Sequence, residues 1–175
     1  MTQRIILIGY RATGKTTLAV QIAQRLGWRW IDADVVIEER AGKTIAEIFA
    51  QDGEPAFRDL EEQVIADLCG EPNLVLATGG GAPMRESTQQ RIRKAGKVIW
   101  LTADPETVHR RITGDETTAD RRPRLCEDKD PLQEIVSLLE KREPVYRETA
   151  HIEIDTVDKT VDALTDEIMA AIDEG

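Results

Sequence analysis

The apolar run Ile5 to Ile8 is followed at once by GYRATGKTT at positions 9 to 17, and no other stretch limits the fold so tightly. Residues 9 to 16 satisfy G-x-x-x-x-G-K-T, the pattern of a strand that breaks into a glycine-bearing turn and re-forms as a helix. The glycines let the backbone turn so that its N–H groups face phosphate oxygens, and the helix N-terminus adds its positive end. Phosphate contacts are expected from Gly9, Ala12, Thr13, Gly14, Lys15, Thr16 and Thr17. Lys15 would reach the β- and γ-phosphates of a nucleoside triphosphate, and the Thr16 hydroxyl would ligate Mg²⁺.

The rest of the chain alternates strand and helix signals. Strands are predicted at Arg4 to Ile8, Trp28 to Ile31, Leu74 to Ala77, Val98 to Leu101 and Ile152 to Ile154. Helical periodicity covers Thr16 to Leu26, Val35 to Arg40, Ile45 to Ala50, Pro55 to Leu68, Arg85 to Ala95, Pro105 to Ile112, Leu132 to Arg142 and Val161 to Ile172. Five strands interleaved with helices predict an α/β fold in three layers, α/β/α, around a five-stranded parallel sheet. No linker divides the 175 residues, which form one expected domain. From Thr113 to Asp130 the hydrophobic period disappears; a loop of that length in a compact domain predicts a functional lid, and disorder without a role is the competing reading.

Composition narrows the classes. The formal net charge of −10 argues against binding nucleic acid, whose affinity rests on neutralising phosphates. Any anionic ligand must be small and met by a local basic cluster. No apolar stretch approaches the ~20 residues that span a bilayer, and MTQRIILIGY is too short in its apolar part for a signal peptide. Cys69 and Cys126 lack metal-ligand spacing and read as idle thiols of a cytoplasmic protein.

The second strand runs into Asp32-Ala33-Asp34. Read as strand residues two apart, the carboxylates face one way: one to hold the Mg²⁺ water shell, the other an acceptor hydroxyl. The competing reading makes them caps of the next helix, and the residues alone do not choose. The guanine-recognition pattern N-K-x-D and a DxxG switch are both missing, as is an apolar run ending in paired acids.

GYRATGKTT, DAD at 32 to 34, FRDLE at 57 to 61, TGGG at 78 to 81, RRPRL at 121 to 125 and KREPVYRETA at 141 to 150 occur in this order. Together they closely resemble the shikimate kinases, in the nucleoside monophosphate kinase-like branch of the P-loop fold, over about Ile5 to Asp155. The resemblance implies transfer of the γ-phosphoryl of ATP to the 3-hydroxyl of shikimate, a step toward aromatic amino acids, with ATP as co-substrate and Mg²⁺ as cofactor. It implies that helices spanning about 34 to 62 bind the acceptor. A carboxylate calls for arginine forks, and the matching positions are Arg58 and Arg142, with Glu61 orienting Arg58. On residues alone, Arg58 could equally pair with Glu62 and Arg142 could be a solvated helix end. Phe49 and Phe57 either wall the acceptor ring or pack in the core.

By the same resemblance, Gly79, Gly80 and Gly81 present backbone donors to the acceptor. Asp34 holds its hydroxyls and is the candidate to take the proton, while Asp32 serves Mg²⁺. Arg122 is the lid arginine that neutralises the transferring phosphoryl group, with Arg121 as a rival. The family reads R-P-L-L there, whereas this chain reads Arg122-Pro123-Arg124-Leu125 in a loop a few residues longer. The longer loop leaves open whether Arg110 or Arg111 lies against adenine; Arg111 is the one assigned to the nucleotide, near Asp155 and Thr156. Ala12 stands where a fourth glycine is common. The expected catalytic set is therefore Lys15, Asp34 and Arg122, in a monomer acting on shikimate and ATP without nucleic acid or membrane. A same-fold kinase for another acceptor such as gluconate, or a catalytically silent nucleotide-binding module, remain the alternatives.

Overall fold

Alternation within β1 (Arg4–Ile8) decides the layering. Ile6 and Ile8 join one apolar cluster and Ile5 and Leu7 another, and all four are buried. Such a strand needs cover on both faces, which is the condition for a parallel sheet. The computed structural model describes residues 4–114 and 130–173. After β1 come α1 (Lys15–Leu26), β2 (Arg29–Asp32), α2 (Ala33–Ala41), α3 (Ile45–Gln51), α4 (Gly53–Leu68) and β3 (Leu74–Ala77). A 3₁₀ turn at Ala82–Met84 precedes α5 (Glu86–Ala95), β4 (Lys97–Thr102), α6 (Pro105–Thr113), α7 (Pro131–Thr149), β5 (Ile152–Asp155) and α8 (Val161–Asp173). The strands form one parallel sheet in the order β2-β3-β1-β4-β5.

Helices α1 and α8 cover one face through Leu18, Ile22, Leu164 and Ile168. The other face is covered chiefly by α4, α5 and α7, through Val64, Ile65, Ile92 and Tyr146. Because every strand runs the same way, Ile8, Asp32, Ala77, Thr102 and Asp155 all end at one edge, where α/β sheets bind ligands. Cys69 is buried, while Cys126 and most of the expected lid lie outside the described residues.

Two expectations need correction. Asp34 is not a strand residue, because β2 ends at Asp32 and α2 begins at Ala33. Asp32 caps that helix, its Oδ1 accepting the Asp34 N–H at 2.9 Å, so capping supplies the local reason for the break. The helix expected to stop at Arg142 instead runs through Pro144 to Thr149. A proline inside a helix forfeits one hydrogen bond and costs ~3 kcal/mol. Burial of Ile135, Leu139, Tyr146 and Thr149 along the same helix offsets it.

Candidate active site

The phosphate loop is shaped by what its backbone must avoid. A side chain at Gly9 (φ 140°) would put Cβ 2.5 Å from the Leu101 carbonyl oxygen, so only glycine fits. Gly14 (φ 89°) is the N-cap of α1 and offers no side-chain cap, which leaves the first-turn N–H groups for a ligand. Ala12 adopts φ 61°, the left-handed region, which explains why glycine is common there. Lys15 Nζ donates to the carbonyls of Gly9 (2.9 Å) and Tyr10 (2.7 Å), so the ammonium curls over the loop. Thr13 Oγ1 also donates to the Tyr10 carbonyl, at 2.8 Å, and braces the turn.

Beside the loop, the Thr16 hydroxyl donates to Asp32 Oδ2 at 2.7 Å. A hydroxyl and a carboxylate side by side are the hard oxygen donors that suit Mg²⁺. Among the described residues no group of three or more His, Cys, Asp or Glu gathers to form an all-protein metal site. Asp34 sits half-buried in the first turn of α2, one helical step from the same edge.

Arg111, at the end of α6, bridges two loops. It donates to the Ala12 carbonyl (3.2 Å) and to the Thr156 hydroxyl (3.0 Å) and carbonyl (2.9 Å). Arg110 reaches only the Thr107 hydroxyl, at 3.4 Å, among the described residues. The geometry therefore favours Arg111 of the two. Next to it lies a cavity of about 230 Å³, lined by Gly14, Thr17, Leu18, Arg111, Thr156 and Leu164 among others. Lys159 and Val161 also line it, and no motif in the sequence marks them.

The triglycine segment joins this half of the site to the other. A methyl at Gly80 would lie 3.4 Å from both Arg142 Nη1 and the Gly9 carbonyl oxygen. At Gly81 it would lie 2.4 Å from Arg58 Nη2. Both predicted forks thus converge on the glycines, and the glycines abut the phosphate loop. Arg58 Nη1 donates to Glu61 Oε2 at 2.6 Å, and Glu61 is 2% exposed. A surface pair with Glu62 is excluded, since Glu62 accepts instead from Arg85 at 3.0 Å. Phe57 is fully buried, its ring 4.7 Å from that of Phe49 and 5.1 Å from the Arg58 guanidinium, so it packs in the core and floors Arg58. Arg142 lies within α7, not at its end. Two tyrosines that lie inside quoted motifs were given no role from sequence: Tyr146, whose hydroxyl donates to the Gly80 carbonyl, and Tyr10, whose ring lies under Arg142. Arg121, Arg122 and Arg124 lie outside the described residues.

The family model for shikimate kinase matches residues 11–173. A shikimate kinase of Rhodopirellula baltica is 43% identical over 169 residues, 97% of this chain and 90% of its own length. One of Symbiobacterium thermophilum is 39% identical, over 97% and 96%. Among solved structures, shikimate kinase from Acinetobacter baumannii in complex with shikimate superposes with a TM-score of 0.91 at 33% identity, covering 99% of this chain and 94% of that one.

Proposed function

This chain belongs to the shikimate kinase family, and on that premise we propose how its residues divide the work. It is an ATP-dependent phosphotransferase that moves the γ-phosphoryl of ATP to the 3-hydroxyl of shikimate, giving shikimate 3-phosphate and ADP. The bond from the γ-phosphorus to the β,γ-bridging oxygen breaks as a bond to the acceptor oxygen forms, and the hydroxyl proton leaves. In the loose transition state of such transfers, positioning and charge stabilisation dominate.

The phosphate-loop N–H groups and Lys15 hold and neutralise the β- and γ-phosphates. Thr16 and Asp32 would hold Mg²⁺, which when bound supplies positive charge to the phosphate oxygens. Asp34 orients the acceptor hydroxyl and takes its proton. Arg58 and Arg142 receive the shikimate carboxylate, with backbone donors from Gly79 to Gly81, and Arg111 flanks the adenine. Arg122, by its place in the RRPRL motif, is assigned to the transferring phosphoryl group. All these groups come from one chain, so the active unit is a monomer. No helix among the described residues is long and apolar enough to cross a membrane, and a cytoplasmic location, with ATP at hand, completes the reading.

One observation carries the assignment: Gly80 brings Arg142 and the Gly9 carbonyl within 3.4 Å of a single point. Phosphate cradle and anion fork therefore share a wall, as direct transfer requires. The test is coupled ADP release with Mg²⁺ and ATP, offered no acceptor, shikimate, gluconate or nucleoside monophosphates. Stimulation by shikimate alone is expected. Equal rates with and without shikimate would refute the acceptor assignment, and stimulation by gluconate would redirect it.

A further inference from the structure

The two arginines assigned to the acceptor are held by different means. Arg58 is tied to carboxylates, donating to Glu61 at 2.6 Å and to Glu54 at 3.4 Å. Arg142 has no hydrogen bond or ion pair among the described residues; its guanidinium carbon stands 5.6 Å from the centre of the Tyr10 ring. We propose that Tyr10 is the positioning residue for Arg142, a rigid aromatic base that aims the guanidinium at the acceptor carboxylate while leaving its N–H donors uncommitted.

The phosphate-loop pattern leaves position 10 free, so phosphate binding does not require an aromatic there. Yet Tyr10 is only 3% exposed, packed with Val108 of α6 and with Ile135 and Leu139 of α7. Leu139 lies one turn before Arg142 on the same helix, so the packing that fixes the ring also fixes its distance from the guanidinium. A ring attracts a cation through its quadrupole without accepting a proton. A carboxylate in its place would occupy the fork and cancel the charge that the acceptor must meet. Arg142 is then the undiminished half of the clamp, and Arg58 the half already shared with Glu61. Burial raises the Tyr10 phenol above its ordinary value, outweighing the opposing effects of Arg11 and Arg142, so the ring carries no charge at neutral pH.

This inference rests on the acceptor reading above, and wild-type stimulation by shikimate is measured first. Failure at that step refutes the acceptor assignment, whatever Tyr10 does. Steady-state kinetics and calorimetric shikimate binding are then compared for Tyr10→Phe and Tyr10→Leu. Tyr10→Leu is expected to weaken shikimate about tenfold in KM and Kd, the scale of a partly desolvated cation–π contact, with a far smaller change in kcat and in KM for ATP. Tyr10→Phe, which keeps the ring, restores affinity to within about twofold. In an Arg142→Gln background Tyr10→Leu adds no further loss. The proposal is overturned if Tyr10→Leu leaves shikimate affinity intact, if both substrates weaken together, or if Tyr10→Phe is as poor as Tyr10→Leu. Should Tyr10→Leu not fold, Tyr10→Met carries the same comparison, since it fills similar volume without a ring.

Discussion

Gly81→Ala isolates the acceptor fork better than removal of the arginine itself. The backbone at Gly81 (φ −94°, ψ 0°) is the bridge conformation that non-glycine residues take at the third position of type I turns, so the substitution calls for no left-handed residue. The added methyl would meet Arg58 Nη2 at 2.4 Å, Nη1 at 2.6 Å and Cζ at 2.8 Å. Ordinary contact begins near 3.4 Å, so the guanidinium must retreat by about 1 Å. The tip of a long side chain can do this, and the fold survives. The retreat spoils two things: the 2.6 Å bond to buried Glu61 and the aim of the fork. A charge-assisted hydrogen bond contributes about 1.5–3 kcal/mol, so its loss to the ligand weakens shikimate by roughly 10- to 150-fold. The strained Glu61 contact lowers stability by about 1–2 kcal/mol. At Gly80 the nearest atoms are 3.4 Å away, so Gly80→Ala should weaken shikimate much less. The assay is KM for shikimate at saturating ATP, beside urea denaturation of each variant. If Gly81→Ala binds shikimate as wild type does, Arg58 is not a carboxylate ligand and the argument fails.

How much of this was legible in the sequence follows from which interactions are local. The strand-loop-helix at 4 to 26 was readable because its pattern is contiguous and its glycines answer to backbone geometry within the loop, apart from the clash with Leu101 that demands Gly9. The layering followed from five strands interleaved with helices, and in the structure alternate residues of β1 enter opposite clusters. Misreadings arose where a local signal met a distant partner. For Asp32 and Asp34 the strand and cap readings stood level because strand and N-cap differ by one peptide, and the Asp32 cap that decides the matter is a side-chain choice. The helix expected to end at Arg142 carries on because the cost of Pro144 is local, while the burial that outweighs it comes from packing against distant elements. Arg58 was ambiguous for the same reason. Glu61 and Glu62 are both within helical reach, and only Arg85, 23 residues beyond Glu62, removes one of them. Tyr10 gave no signal at all, since its partner Arg142 is remote in the chain and no motif links the two.

Three further outcomes test the physics away from the fork. Ala12→Gly should raise stability by about 0.5–1 kcal/mol, because relief of a left-handed alanine (~1–2 kcal/mol) exceeds the added entropy of an unfolded glycine; a lower melting temperature would contradict this. His151 accepts the Val98 N–H at Nδ1, and burial, then Arg93 and Lys97, hold its pKa below the usual value. The folded state thus binds the proton less readily than the unfolded chain, so this contribution is present above ~6.5 and lost as pH falls through the lower folded value. Denaturation from pH 7.5 down to 5.5 should therefore show a shallower loss in His151→Gln than in wild type, and equal slopes would rule the contribution out. Tyr146→Phe removes the buried donor to the Gly80 carbonyl. A buried acceptor deprived of its partner costs about 1–3 kcal/mol, which a denaturation curve reads directly. Because Gly80 abuts Arg142 as well as the phosphate loop, part of that loss should appear as several-fold weaker shikimate binding. Tyr146 and Arg142 lie one turn apart on α7, so the spacing of Arg142, Pro144 and Tyr146 within KREPVYRETA has a physical reason if both effects appear together. A variant that is destabilised yet binds shikimate normally would reduce Tyr146 to a core residue and leave that spacing unexplained.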